Sequence, residues 1–216
     1  RNSGKGVSPG SSAVLSVRSN RASFLPTAKV QVQKRDGSWE TATALIDSGA
    51  ERSYVTKSLA QKVQSKGVRK TTVSVTSFGG RSKSLRSRVH ALNLKGASGE
   101  SIKIEVADVP IISRPITRPP IDKAILESFE GDLTHSLPEG KVAVDILIGQ
   151  DLYWTVVKEG IRRPSNSSLV AQETVFGWIL SGPRQHRVVS PSGSCGRFEY
   201  RASSVESDEP SVVTRL

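Results

Sequence analysis

The chain has 216 residues, 36% of them hydrophobic and 5% aromatic, with a net charge of +11 and a pI near 10.1. These values suit one domain of ordinary size with polar tails better than a core filling the whole length. A single cysteine, Cys195, excludes an internal disulfide and a cysteine zinc cluster, and no apolar run reaches the roughly 18 residues that a membrane helix needs.

Residues 1–23 are rich in Ser, Gly, Arg and Asn and read as a flexible leader. From Phe24 the composition changes. Ala28, Val30 and Val32 alternate with Lys29, Gln31 and Gln33, the pattern of a half-buried strand. Asp36-Gly37 signals a hairpin, and Trp39 to Ile46 is its return strand. After the small residues Asp47-Ser48-Gly49-Ala50, the spacing of Val55, Leu59 and Val63 predicts a short amphipathic helix. Thr71 to Ser77 and Arg81 to Lys95 read as strands around a Ser77-Phe78-Gly79-Gly80 turn. Ile102, Ile104 and Val106 lie on one face of a further strand.

Five prolines interrupt residues 110–140, around a predicted short helix from Ile121 to Phe129. Connections that long are uncommon in compact domains. Val142 to Ile148 then reads as one buried strand, and Gln150 to Val157 as a short helix. Leu169 to Ala171 and Thr174 to Leu180 read as closing strands. From Pro183 the chain is polar and reads as a linker, so the domain is placed at 24–182 and a tail at 183–216. The expected class is all-β with small helices.

The pattern that carries chemistry is Ala44-Leu45-Ile46 followed by Asp47-Ser48-Gly49-Ala50. An apolar strand gives a carboxylate a rigid anchor, a glycine after it admits close backbone approach, and a hydroxyl beside it can bond to a neighbouring loop. Asp-Ser-Gly by itself is commonly a plain turn. A carboxylate directly after a strongly apolar strand is less ordinary, because burying it unpaired costs several kcal/mol. Two such loops face to face would place two carboxylates in contact. Like charges that close cannot both ionise, so the pair shares one proton. One member can then act as base on a water while the other protonates a carbonyl oxygen.

With its flanks, the chain resembles the retropepsin family of aspartic proteases. Leu45-Ile46-Asp47-Ser48-Gly49-Ala50 is similar to the active-site motif, Ser77-Phe78-Gly79-Gly80 to the tip of the flap, and Ile146-Leu147-Ile148-Gly149-Gln150-Asp151-Leu152 to the second motif. Within that family, Asp145 to Asp151 together with Leu169 to Gly182 resembles the protease region of Pao/BEL-type retrotransposon polyproteins. The likeness covers about 27–182. It implies a retropepsin-like acid protease fold, a closed β-barrel or sandwich with short helices, flanked by disordered tails. It also implies a homodimeric endopeptidase that processes its own polyprotein, with no metal or organic cofactor. Asp47 would be the catalytic residue, Ser48 and Gly49 its loop, and Ala50, Glu51, Phe78, Gly79 and Gly80 the substrate-binding residues. The expected setting is cytoplasmic, including virus-like particles, without membrane contact.

The chain contains one Asp-Ser/Thr-Gly, and Asp145 lacks the following Ser/Thr-Gly. A second copy of the chain is therefore expected to supply the second carboxylate. Glu51 stands where family members often carry Asp, and Gln150 where many carry Arg, which leaves Arg52 to pair with Glu51 or its surroundings. The absence of methionine and the start at Arg1 read as a segment of a longer polypeptide. Trp154 and Trp178 read as core or dimer contacts, and Cys195 as a linker residue. The three histidines, His90, His135 and His186, show no metal-ligand spacing.

Two alternatives stand beside the enzyme: a catalytically silent module of the same fold, and a polyprotein segment whose basic tails bind nucleic acid. For the charge itself, solvated side chains are the plainer reading. The basic run Arg81, Lys83, Arg86 and Arg88 reads as a solvated edge that discourages sheet pairing, ahead of a surface that attracts acidic substrate segments or RNA.

Overall fold

The computed structural model describes residues 23–76, 82–121, 123–129, 133, 140–164 and 167–183. The flap tip, Cys195, His135, His186 and most of both tails lie outside them.

Alternation sets the first hairpin. Strand β2 (Thr27–Gln33) pairs antiparallel with β3 (Trp39–Ile46), from Thr27↔Leu45 to Gln33↔Trp39. Gly37 adopts a φ of 87°, and Asp36 Oδ1 accepts from Ser38 N–H at 2.9 Å. The inward set Ala28, Val30, Val32, Ala42, Ala44 and Ile46 joins the main core.

The next strands are β4 (Tyr54–Thr56), β5 (Gly67–Thr76), β6 (Ser82–Lys95), β7 (Ser101–Val109) and β10 (Ile146–Ile148). With β2 and β3 they form a seven-stranded sheet in the order β2-β3-β10-β4-β7-β6-β5. A further pairing of β2 with β6, at Gln31↔Lys95 and Val32↔Leu94, curls the sheet back on itself. That pairing covers the Gln31–Val32 end of the edge a flat sheet would leave at β2. Strand β10 sits parallel to β3 and antiparallel to β4. Ile146, Leu147 and Ile148 are completely buried between them.

Helix α1 (Lys57–Lys62) is shorter than the apolar spacing suggested, because Val55 belongs to β4 and Val63 is the C-cap. Thr56 caps the helix by accepting from Leu59 N–H at 3.2 Å. The turn after it is fastened to the sheet through buried His90. Nδ1 of His90 lies 3.1 Å from Ser65 Oγ, and Nε2 lies 3.2 Å from Asp108 Oδ2.

The stretch expected as one strand from Val142 to Ile148 is two. Strand β9 (Gly140–Val142) pairs with β8 (Ile116–Arg118), and β10 begins only after Asp145. The break has a cause: Asp145 turns its backbone and carboxylate onto Thr43, donating N–H to Thr43 O at 2.9 Å and accepting Thr43 N–H at 3.0 Å. The long 110–140 connection also holds α2 (Lys123–Glu127). Buried Arg118 ties it to the barrel, donating to Thr27 Oγ1 at 3.0 Å beside the Phe24 ring. Burial lowers the Arg118 pKa.

Helix α3 (Gln150–Val156) leads into β11 (Val157–Arg162), a strand not anticipated from its exposed, charged sequence. It pairs with β12 (Val170–Thr174), which pairs with β13 (Gly177–Pro183). Strand β1 (Ser23–Phe24) completes this four-stranded sheet, so Ser23 pairs with Pro183, two positions that the sequence assigned to leader and tail. Trp178 packs beside a core of Phe24, Phe129, Leu169, Ala171 and Leu180, with Arg162 stacked 3.9 Å above its ring. Trp154 is 73% exposed. Among the described residues no helix is long and apolar enough to cross a membrane.

Candidate active site

Asp47 follows the last residue of β3, the strand that runs beside β10. Its N–H continues the parallel ladder by one rung, donating to Ile148 O at 2.9 Å. The backbone then turns back: Ala50 N–H donates to Asp47 O at 3.2 Å, and Gln150 N–H donates to Ala50 O at 2.8 Å. The loop is therefore held at both ends by the same short stretch of β10 and α3.

The next fastening is a side chain. Ser53 is 4% exposed, donates its hydroxyl to Asp151 Oδ1 at 2.6 Å and accepts Gly149 N–H at 2.8 Å. Its own N–H reaches Asp151 Oδ2 at 3.1 Å. Asp151 lies in the first turn of α3, where a carboxylate also meets the positive end of the helix dipole. Neither residue stood out in the sequence. Asp151 belongs to the second motif, but nothing in its spacing points to a partner 98 positions away.

Gly149 closes the contact. A Cβ there would lie 2.6 Å from Arg52 C and O and 2.9 Å from Ala50 O. Its φ of −92° is open to any residue, so the requirement is one of space alone.

Asp47 is half-buried, and its Oδ1 accepts Gly49 N–H at 2.9 Å. Among the described residues its other oxygen has no hydrogen bond. Gly49 is tight against this carboxylate, since a Cβ would stand 3.1 Å from Oδ1. Ser48, Gly49 and Glu51 are exposed, whereas Ala50 is buried against Tyr54 and Leu147. The Ser48 hydroxyl makes no hydrogen bond within the described residues; Ser53 braces the loop. Of the partners expected for Arg52, Glu51 is not in an ion pair with it there. Phe78, Gly79 and Gly80 fall outside the described residues. Asp145 cannot act as a second carboxylate, because it is committed to Thr43.

What results is one carboxylate with one oxygen hydrogen-bonded and the other without a hydrogen bond among the described residues, at the end of a buried strand and beside the exposed Ser48 and Gly49. No group of three or more His, Cys, Asp or Glu among the described residues could hold a metal ion.

A family model described as aspartyl protease matches residues 28–152, which run from β2 through the Asp47 loop to the first turn of α3. The chain belongs to this aspartyl protease family. Two solved structures to which it is similar are the retroviral protease-like domain of Ddi1 from Leishmania major and a retropepsin-like aspartic protease from Rickettsia conorii. The first is 12% identical, with 74% of this chain and 95% of that chain covered and a TM-score of 0.36. The second is 13% identical, with 76% and 98% covered and a TM-score of 0.29. No curated protein matches the chain.

Proposed function

We propose that the chain is an aspartic endopeptidase that works as a homodimer, each copy contributing Asp47. The observation that carries this reading is the half-site itself. A half-buried carboxylate stands on a bonded floor, its second oxygen has no hydrogen bond among the described residues, and the flanking Ser48 and Gly49 are exposed. A second copy related by a twofold axis would bring a second Asp47 against the first. One of the two carboxylates takes a proton from water as that water attacks the scissile carbonyl carbon. The other, carrying the shared proton, donates it to the carbonyl oxygen. Collapse of the tetrahedral species then breaks the C–N bond, with a proton passing to the leaving amine. Ser48, without a hydrogen bond among the described residues, would bond across the twofold axis and hold the two loops together.

The substrate is an extended peptide bound as an added strand between the floor and the β5–β6 hairpin, mainly through main-chain hydrogen bonds. Ala50 and Glu51 line the floor, and Phe78, Gly79 and Gly80 cover the peptide from above. The likeness to Pao/BEL-type proteases favours the surrounding polyprotein as substrate, cleaved in the cytoplasm or within virus-like particles.

Asp47→Asn tests the assignment. Turnover of a peptide substrate should fall by about 10²–10⁴ with thermal stability retained, and the activity of the unsubstituted chain should be pepstatin-sensitive with a bell-shaped pH profile. Full cleavage by Asp47→Asn, insensitive to pepstatin, would overturn it.

A further inference from the structure

The charge of this chain is not spread along it. Of 31 Lys and Arg residues, 11 fall between Arg52 and Gly99, and none of the 20 Asp and Glu does. The remaining residues therefore carry 20 charges of each sign, and the whole excess of +11 belongs to this one segment, which folds as β4, α1, β5 and β6.

The register of β5 against β6 sorts these cations by face. Lys70 stands opposite Arg88, Thr72 opposite Arg86, and Ser74 opposite Ser84, all of them exposed. The opposite face carries Val73 and Val75, which pack into the core around Tyr54 and Leu147. Lys70, Arg86 and Arg88 thus lie on the face opposite Val73 and Val75, whereas Arg69 and Lys83 fall on the side of the valines. Arg88 is laid down deliberately: a Cβ at Gly67 would come within 3.0 Å of Arg88 Cβ and Cδ, so the glycine leaves room for its stem. Lys66 precedes that glycine and is exposed. The Asp108 carboxylate is already engaged by Arg88 N–H at 3.0 Å and by His90. Among the described residues none of Lys66, Lys70, Arg86 and Arg88 is in an ion pair.

Such an arrangement works against the hairpin. Like charges directly opposite one another on a sheet are destabilising, and Lys70 and Arg88 are such a pair. Protection of an exposed edge explains charge, lysine above all, but it does not require that every charge have one sign, and a mixture of signs would remove the repulsion. An anionic partner explains the single sign. Between the cations lie hydroxyls, Thr72, Ser74 and Ser84, and among the described residues of that face no aromatic side chain. Cations and hydroxyls are the groups that contact phosphate and sugar, whereas stacking on bases needs aromatic rings.

We propose that the outer face of the β5–β6 hairpin, with Lys70, Arg86 and Arg88 at its centre, binds the phosphate backbone of a nucleic acid without regard to base sequence. This places the contact on the folded domain rather than on the tails, and it is independent of the peptidase reading.

The probe is a fluorescein-labelled 20-mer oligouridylate, titrated with the full chain by anisotropy over a range of salt. The test variant carries Lys70→Gln, Arg86→Gln and Arg88→Gln. Each phosphate contact on a single strand contributes about 0.7 to the slope of log K against log salt. Losing three should flatten the slope by about 2 and weaken binding about 100-fold at 0.1 M salt. The melting temperature should stay level or rise, since the Lys70–Arg88 repulsion is relieved. Should the triple variant fold poorly, Arg86→Gln alone is expected to flatten the slope by about 0.7. Three results would overturn the proposal. One is wild-type binding by the folded variant. Another is loss of binding only when Arg1, Lys5, Arg18 and Arg21 are neutralised. The third is a polyglutamate peptide that binds as tightly as the oligonucleotide through the same three residues, which would make this a surface for acidic proteins.

Discussion

The floor of the candidate site and the hairpin beside it solve different problems with different materials. The floor is apolar and backbone-closed: Ile146, Leu147 and Ile148 are wholly buried, and the loop from Asp47 to Ser53 is bonded to residues 148–151. The hairpin keeps one face on the core and leaves the other covered with uncompensated cations. Rigidity in the floor comes from short range and exact fit, so it fails abruptly when a single atom is added or removed. The hairpin's property is a long-range field, which changes by degrees as charges are taken away.

That contrast can be broken at the floor with one methyl group. Gly149→Ala places a Cβ against the backbone of Arg52 and Ala50, which no side-chain rotation can relieve. The expected loss is about 3 kcal/mol or more, read as a large drop in denaturant midpoint together with loss of peptide cleavage. A fall of a few tenths of a kcal/mol would mean that the 50–52 loop moves freely, and the floor would not be rigid. Ser53→Ala sharpens the same point more gently. It strands Gly149 N–H and removes one partner of Asp151, for about 2–3 kcal/mol. Ser53→Thr, which keeps the hydroxyl, should recover part of the stability.

The root of the hairpin gives the smallest effect, and it depends on pH. Burial pushes the Asp108 carboxyl up, but hydrogen bonds from Arg88 N–H, His90 and Ser87 outweigh it and hold the pKa below its ordinary 3.8. A depressed folded value contributes stability above the unfolded pKa and loses it as pH falls through the folded one. Acid unfolding of the wild type should therefore steepen below about pH 4, and Asp108→Asn should show a shallower acid limb with lower stability at neutral pH. Parallel acid limbs for the two proteins would show that Asp108 is no better stabilised folded than unfolded.

Much of this architecture is legible in the sequence, and the failures have physical reasons. The β2–β3 hairpin, the position of Asp47 after an apolar strand and helix α3 follow from alternation, a turn dipeptide and a glycine stop. Val55, Leu59 and Val63 looked helical because all three are buried in one core, and a strand entering a helix can mimic a four-residue period. Val142 to Ile148 looked continuous because its apolar residues serve two sheets, one on either side of Asp145. The edge strand β11 carries Lys158 and Glu159 outward and so read as loop. In the site, the carboxylate was visible but its supports were not. Ser53 and Asp151 meet across 98 positions, and no local pattern records a partner at that distance.

Strand β10 fills the gap between β3 and β4 although it is made about a hundred residues later. Contacts between distant segments form late, after the intervening chain has closed its loop. A nascent polypeptide that has not yet emerged past Ile148 leaves Asp47 without the rung that anchors it. Synthesis order alone thus keeps the carboxylate unorganised until most of the domain exists.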